Sequence, residues 1–339
     1  MDSRAPLVVD TVDAPSELQP GQVCVRVRFS GICGAQVNEI NAVKGPDKFL
    51  PHLLGHEGVG EVVSVGALVK SVRVGDTVIL HWMPGAGIQS EPAMYSWRGR
   101  ALNAGWVTTL SEFTIVSENR VTQFESSMDP RYAPLLGCAA TTAAGVVGRD
   151  AAIRLGESVV VIGTGGVGLL VVEAARASGA HPIVAIDKVE DRLIAARKFG
   201  ASVTLNSSAL GIELGNAVTD AIGGPPDVVI ETSGAREMVE VGYWLVRSGG
   251  RCVLVGVTPH DQPVSIDTYP LHFDTMLTGS KGGGTRPEID IPRLARLAEN
   301  GLFRIQDLPI TVFPLDDINE GLEALRAGQP GRIVIDMEA

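Results

Sequence analysis

From about Asp150 onward the chain alternates short apolar runs with helix-length segments, and that rhythm leaves few architectures open. Ser158–Ile162 reads as a buried strand, Val167–Ser178 as a helix, Ile183–Ile186 as a strand and Glu190–Phe199 as a helix. The alternation continues through Ser202–Leu205, Asp227–Glu231, Arg236–Val246 and Arg251–Val255. Repeated strand–helix pairs mean parallel βαβ units, with helices on both faces of one sheet. A tail after Gly282 adds helices at Ile291–Glu299 and Asp317–Ala327 and a strand at Arg332–Asp336.

The first part of the chain, to about residue 140, follows a different pattern. Gln22–Phe29 sets Val23, Val25, Val27 and Phe29 against Cys24, Arg26 and Arg28, the period-two pattern of a half-buried strand. Gly60–Val65, Thr77–Leu80 and Glu112–Val116 read as further short strands between Gly, Pro and Asp punctuation. A compact β-barrel-like domain is the natural reading. Between Met83 and Thr109 no periodicity stands out, and a surface excursion is expected there. With 339 residues, two domains are the expected number.

Forty glycines and 5% aromatic residues suit an α/β enzyme with tight turns and aliphatic packing. A net charge of −11 argues against nucleic acid or an anionic membrane surface as partner. Met1–Arg4 leads into no signal-type apolar stretch, and the uncharged run Ser158–Val172 falls short of the ~20 residues a bilayer requires. The four cysteines (Cys24, Cys33, Cys138, Cys252) form no CxxC pair, which reads as reduced thiols. A soluble, cytoplasmic protein is expected.

Gly163-Thr164-Gly165-Gly166-Val167-Gly168 follows the predicted Ser158–Ile162 strand directly and opens a helix, and Asp187 comes 19 residues after Gly168. Gly163 permits a tight turn, Gly165 lets backbone approach a pyrophosphate, and Gly168 allows close helix–strand packing. Phosphates then sit at the helix N-terminus, against free N–H groups. A glycine turn in some other doubly wound protein is the alternative. Asp187 accepts hydrogen bonds from ribose hydroxyls and repels a 2′-phosphate, so NAD(H) is favoured over NADP(H). The nearby Lys188 and Arg192 pull the other way.

In Gly55-His56-Glu57-Gly58-Val59-Gly60, with Gly66 beyond, an imidazole and a carboxylate stand side by side among residues with little side chain. That lack of bulk suggests room for a metal ion with substrate above it. Cys33 and Cys138 could complete a Cys/His/Cys set, and three protein ligands with an open fourth position define a catalytic zinc site. Each residue alone is more often part of a packed core, and spacing does not establish the set.

At these residues the chain resembles the medium-chain dehydrogenase/reductase family, in its zinc-dependent alcohol dehydrogenase branch. Gly55-His56-Glu57-x2-Gly60-x5-Gly66-x2-Val69 fits that branch's zinc signature, Gly31-Ile32-Cys33-Gly34 resembles its first-ligand loop, and Leu136-Gly137-Cys138 its third-ligand segment. The resemblance implies a GroES-like β-barrel catalytic domain (1–140, resumed at 282–339) split around an inserted, doubly wound Rossmann domain (141–281). It implies zinc on Cys33, His56 and Cys138, with Glu57 close behind as a supporting or exchanging ligand. Thr142 and Val167 match positions beside the nicotinamide, Gly163, Gly165, Gly166 and Gly168 fall in the NAD turn, and Arg332 matches an arginine near the pyrophosphate. Relatives pair through the edge of the coenzyme-domain sheet, so a homodimer or homotetramer is implied.

Four departures stand out. Ala35 replaces the usual Ser or Thr of the proton relay, and an alanine neither donates nor accepts a proton. Gln36 replaces the usual Asp, and Asn38 the relay histidine. Met83–Trp106 holds no cysteine, so the four-cysteine structural zinc lobe is absent and one zinc per chain is expected. Pro6-Leu7-Val8 lies where relatives have already completed about one strand, so the first barrel edge is trimmed or differently closed. Trp97, Arg98 and Trp106 are expected to pack locally, meet a partner subunit or rim the cleft.

His81-Trp82, at the end of a predicted strand, offers Trp82 as a pocket wall and His81 as a proton handler or an ordinary packed histidine. The expected reaction is hydride transfer between an alcohol and NAD, the alcohol being a polyol, cyclitol or sugar derivative whose neighbouring hydroxyl replaces the relay. Two other readings are a zinc-free enoyl or quinone reductase and a non-catalytic NAD(H)-binding protein.

Overall fold

The computed structural model describes residues 5–43 and 45–339, and Met1–Arg4, read above for a signal segment, lie outside them. In chain order the strands are β1 (Gln22–Ile32), β2 (Glu57–Val65), β3 (Thr77–His81), β4 (Met94–Trp97), β5 (Arg100–Asn103), β6 (Phe113–Ser117) and β7 (Val121–Gln123). They continue with β8 (Val159–Ile162), β9 (Ile183–Asp187), β10 (Val203–Asn206), β11 (Val228–Glu231), β12 (Arg251–Leu254), β13 (Met276–Gly279), β14 (Ile310–Pro314) and β15 (Arg332–Asp336). Among the described residues they form a seven-stranded sheet, a six-stranded sheet and a hairpin.

The seven-stranded sheet runs β14-β15-β1-β2-β3-β7, with β6 also pairing β1. β1 is its spine. Val23, Val25 and Val27 are buried while Arg26 and Arg28 face solvent, as period two requires. The strand extends past the alternating part to Ile32, because Ser30–Ile32 is flanked by β2 and β15 and is buried throughout. The late β14 and β15 therefore return to the barrel built by the first part of the chain.

The second sheet is wholly parallel, in the order β10-β9-β8-β11-β12-β13. The order reverses beside β8, the place where an open α/β sheet leaves a crevice at its carboxyl edge. Local chemistry sets the helix ends. The helix Glu190–Phe199 has Glu190 and Asp191 in its first turn, Arg197 and Lys198 in its last, and Gly200 at φ 112° beyond it.

The excursion between Met83 and Thr109 is not featureless. β4 and β5 form a hairpin whose turn residues Arg98 and Gly99 have φ of 52° and 74°. An arginine in that conformation gives little sequence signal, which is why the hairpin escapes the pattern reading. Ala93, Tyr95, Leu102, Ala104 and Ile115 make its small core. Trp97 and Arg98 donate to Asp10 at 2.9 and 2.6 Å, pinning the N-terminal segment to the lobe.

One apolar cluster joins the two sheets. It runs from Phe29, Val59 and Ile79 through Leu135, Leu136 and Ala139 to Val159, Leu169 and Val172 without a break. A charged cluster reinforces the seam. Glu173, fully buried, takes Arg176 at 2.8 Å and Arg304 at 2.6 Å, and Arg304 also donates to the carbonyls of Lys198 and Phe199. Burial alone raises the Glu173 pKa, but the two guanidiniums outweigh it and hold the carboxyl below its usual range.

Replacing Arg304 by Ala removes one partner of a buried charge and is expected to cost about 3 kcal/mol of stability near neutral pH. Glu173 has a depressed pKa, so its contribution is full above the unfolded-state value and is lost as pH falls through the folded-state value. Denaturant melts across an acid series should therefore show the gap between wild type and Arg304→Ala closing as Glu173 protonates.

Candidate active site

The glycines of the 55–66 segment make room for protein, which corrects the expectation that they clear space for a metal. Gly55 has φ +97°, and a side chain there would strike Thr109 Oγ1 at 2.4 Å. A Cβ on Gly60 would meet the Arg26 carbonyl of β1 at 2.2 Å, and one on Gly66 the Gln19 carbonyl at 2.2 Å. The tight packing of this turn and of β2 against β1 fixes where His56 and Glu57 emerge. Glu57 in turn fills a slot lined by glycines, since a Cβ on Gly31 would lie 2.3 Å from its Oε1 and one on Gly137 would lie 3.2 Å from its Cβ.

Three segments bring Cys33, His56 and Cys138 together. Cys33 ends β1 and caps the helix α1 (Gly34–Ile40), His56 precedes β2, and Cys138 caps the helix α2 (Ala139–Gly145). The Cys33 sulfur lies 3.3 Å from His56 Nε2, and the Cys138 thiol lies close beside it. The nearness of the two thiols holds Cys33 well below the usual thiol range and Cys138 well above it. Among the described residues no group of three His, Cys, Asp or Glu side chains is already spaced to hold a metal. The donor chemistry nevertheless fits zinc, with two sulfurs and an imidazole at one point and one sulfur readily ionised. Thr142 N donates to the Cys138 carbonyl at 2.9 Å, and Trp82 also neighbours the Cys138 thiol, so both stand beside the cluster.

Glu57 stands behind the set and does not join it. Its Oε1 receives Arg332 Nη2, and its Oε2 receives the N–H of Ala139 at 3.2 Å. With both oxygens engaged, the carboxylate supports the cluster through Arg332, whose positive charge lies near the Cys33 sulfur. Arg332 itself departs from the position implied by resemblance. Its stem lies on the glycine turn, where a Cβ on Gly166 would fall 2.2 Å from its Cδ, but its guanidinium turns inward. Its Nε is a buried donor without a partner.

The glycine turn divides its work. Gly163, at φ +85°, turns the chain after β8, and a Cβ on Gly168 would lie 1.9 Å from the Gly163 carbonyl. Gly165 is different. Its φ of −66° and ψ of −170° suit any residue, and a Cβ there would meet nothing within 4 Å. The free space lies at the N-terminus of the helix α3 (Gly166–Ala177), where open N–H groups fit a pyrophosphate. Asp187 closes the far side. It accepts Thr164 N at 2.7 Å, Thr164 Oγ1 at 3.1 Å and Val189 N at 3.0 Å. Val167, in the first turn of α3, is half-buried.

His81 is corrected. It is 1% exposed, its Nδ1 donates to the Met83 carbonyl at 2.8 Å, and its Nε2 takes the Thr122 hydroxyl at 2.9 Å. Burial pushes its pKa down to about 4. No ring nitrogen is left to carry a substrate proton. Sequence reasoning missed two residues here. The inward turn of Arg332 has no sequence signal, and Gln36, noted only as a departure, bonds both Cys33 N and His56 Nδ1.

Gly165→Val should therefore leave folding intact and weaken NAD(H) binding at least tenfold, whereas Gly168→Val should lower the melting temperature sharply. Fluorescence titration with NADH beside thermal melts checks the pair; equal destabilisation of both variants would contradict the division of roles.

Comparisons with known proteins speak to the fold and the family. The model described as an alcohol dehydrogenase GroES-like domain matches residues 19–126, and the one described as a zinc-binding dehydrogenase matches residues 166–299. An S-(hydroxymethyl)glutathione dehydrogenase of Synechocystis is 27% identical, covering 97% of this chain and 96% of its own. Alcohol dehydrogenase-like 7 of Arabidopsis thaliana is 28% identical over 97% of this chain and 92% of its own. A crystal structure of an alcohol dehydrogenase zinc-binding domain protein from Burkholderia ambifaria superposes with a TM-score of 0.84 at 26% identity, covering 94% and 92% of the two chains. Matches on both sheets, with relatives covered over nearly their full length, lead to one conclusion: the chain belongs to the zinc-dependent alcohol dehydrogenase branch of the medium-chain dehydrogenase/reductase family.

Proposed function

We propose that this chain oxidises an alcohol, or reduces the matching carbonyl, with NAD(H) and one zinc ion held by Cys33, His56 and Cys138. The observation that carries the proposal is the meeting of these three side chains at one sulfur, joined through Arg332 to the glycine turn. When bound, zinc supplies Lewis-acid polarisation of the substrate oxygen and NAD supplies the hydride acceptor. A β4–β5 lobe held by an apolar core and by the Asp10 hydrogen bonds, in a stretch without cysteine, supports a single zinc per chain.

The chain's own residues do the rest. Trp82, which neighbours the Cys138 thiol, walls the pocket. Thr142, on α2, and Val167, opening α3, flank the nicotinamide. Thr164 and Val189 hold the Asp187 carboxylate ready for ribose hydroxyls and set against a 2′-phosphate. Arg192 is partly tied back, with its Nε donating to the Gly328 carbonyl at 3.0 Å and its Nη1 lying 3.9 Å from Asp187. NAD(H) is accordingly preferred over NADP(H). Ala35 is exposed and Asn38 half-buried, and neither titrates. A polyol, cyclitol or sugar alcohol, which brings a neighbouring hydroxyl, suits a site that lacks a relay of its own.

Among the described residues the edge strand β13 pairs only with β12; its Met276 is exposed, as are the nearby Tyr269 and Phe273. Such an edge supports pairing of two copies into a homodimer, or a homotetramer built from it. Among the described residues no helix is long and apolar enough to cross a membrane. The four free cysteines and the net charge of −11 support a cytoplasmic setting.

Metal analysis of the purified protein should give about one zinc per chain, and Cys33→Ala should lose both zinc and NADH formation across a panel of polyols, cyclitols and simple alcohols. Zinc far below that level, or full turnover by Cys33→Ala, overturns the proposal. Tight NADH binding with no turnover on any alcohol or carbonyl would favour the non-catalytic reading, which the sequestered His81 keeps open. Met276→Asp should shift sedimentation toward the monomer.

A further inference from the structure

Gln36 is 1% exposed and touches both a backbone donor and a ring nitrogen of the cluster. The Cys33 N–H can only donate, and Gln36 Oε1 accepts it at 3.0 Å. The other end of the amide, its NH2, is therefore the end that faces His56 Nδ1. An amide NH2 has only donors to offer, so Nδ1 must accept. The proton of the neutral ring then sits on Nε2, pointed at the Cys33 sulfur 3.3 Å away.

A metal-ligating imidazole needs the reverse arrangement, with a lone pair on the coordinating nitrogen and an N–H on the other, directed at an acceptor. We propose that Gln36 is a positioning residue that holds His56 as the Nε2–H tautomer and so weakens zinc loading of the Cys33, His56 and Cys138 set. The inference rests on the reading of those three residues as the zinc ligands. For His56 to coordinate, its proton leaves Nε2 for solvent and another is taken up at Nδ1, with no net change. The Gln36 amide must then turn over so that Oε1 accepts from Nδ1. Its NH2 comes to face the Cys33 N–H, and the bond that caps α1 is lost. Zinc binding thus competes with a hydrogen bond of the fold.

The experiment has two arms. In zinc-free wild type, nitrogen-15 NMR of the histidine rings should report His56 as the Nε2–H tautomer. Gln36→Glu offers one carboxylate oxygen to the Cys33 N–H and the other to a protonated Nδ1. It should convert His56 to the Nδ1–H tautomer and tighten zinc binding about 10- to 100-fold in chelator competition, with α1 intact by hydrogen exchange. An Nδ1–H ring in zinc-free wild type overturns the proposal, as does equal zinc affinity in the two proteins. If neither protein binds zinc, the zinc reading fails, and the wild-type NMR arm, which needs neither zinc nor a variant, still decides what Gln36 does.

Discussion

Arg332 is 4% exposed and Glu57 is fully buried, and 275 residues of sequence separate them. Neither charge is stable in that place without the other, because an unpaired buried ion is strongly unfavourable. Their contact therefore ties the start of the returning β15 to the start of β2 across the end of β1, and fixes the turn that carries His56. The same guanidinium lies near the Cys33 sulfur, and its stem rests on Gly166. One side chain thus sets the distance between the sulfur cluster and the dinucleotide turn. Hydride transfer between two bound partners depends on that distance more than on any single ligand.

Much of the fold is legible in the sequence because burial imposes period two on β1 and strand–helix alternation beyond Asp150. The helix Glu190–Phe199 is found at the predicted limits, since its terminal charges and Gly200 mark both ends. What escapes notice has a weaker local signature. β13 and β7 are short, and the β4–β5 hairpin turns on an arginine at positive φ. The site divides in the same way. Ligand types at family spacing are visible, but the direction of a side chain is not. His81 lies at the end of a strand as expected, yet local bonds to Met83 and Thr122 consume both its nitrogens.

Glycine illustrates why a motif underdetermines its reason. In the 55–66 segment every gap is filled by Thr109, β1 or the Gln19 carbonyl. At Gly165 the gap is filled by nothing within 4 Å, in a backbone conformation open to all residues. The letters alone read both stretches as room for a ligand. Only the built backbone separates a glycine required by the protein's own packing from one whose neighbourhood is kept free.

The lobe that carries β4 and β5 is held by Tyr95, Leu102, Ile115 and the Asp10 contacts, in a stretch, Met83–Trp106, that contains no cysteine. Its integrity rests on burial and on those hydrogen bonds. The lobe therefore presents no thiol to an oxidant or to a competing metal ion, so chemical damage of that kind cannot begin there.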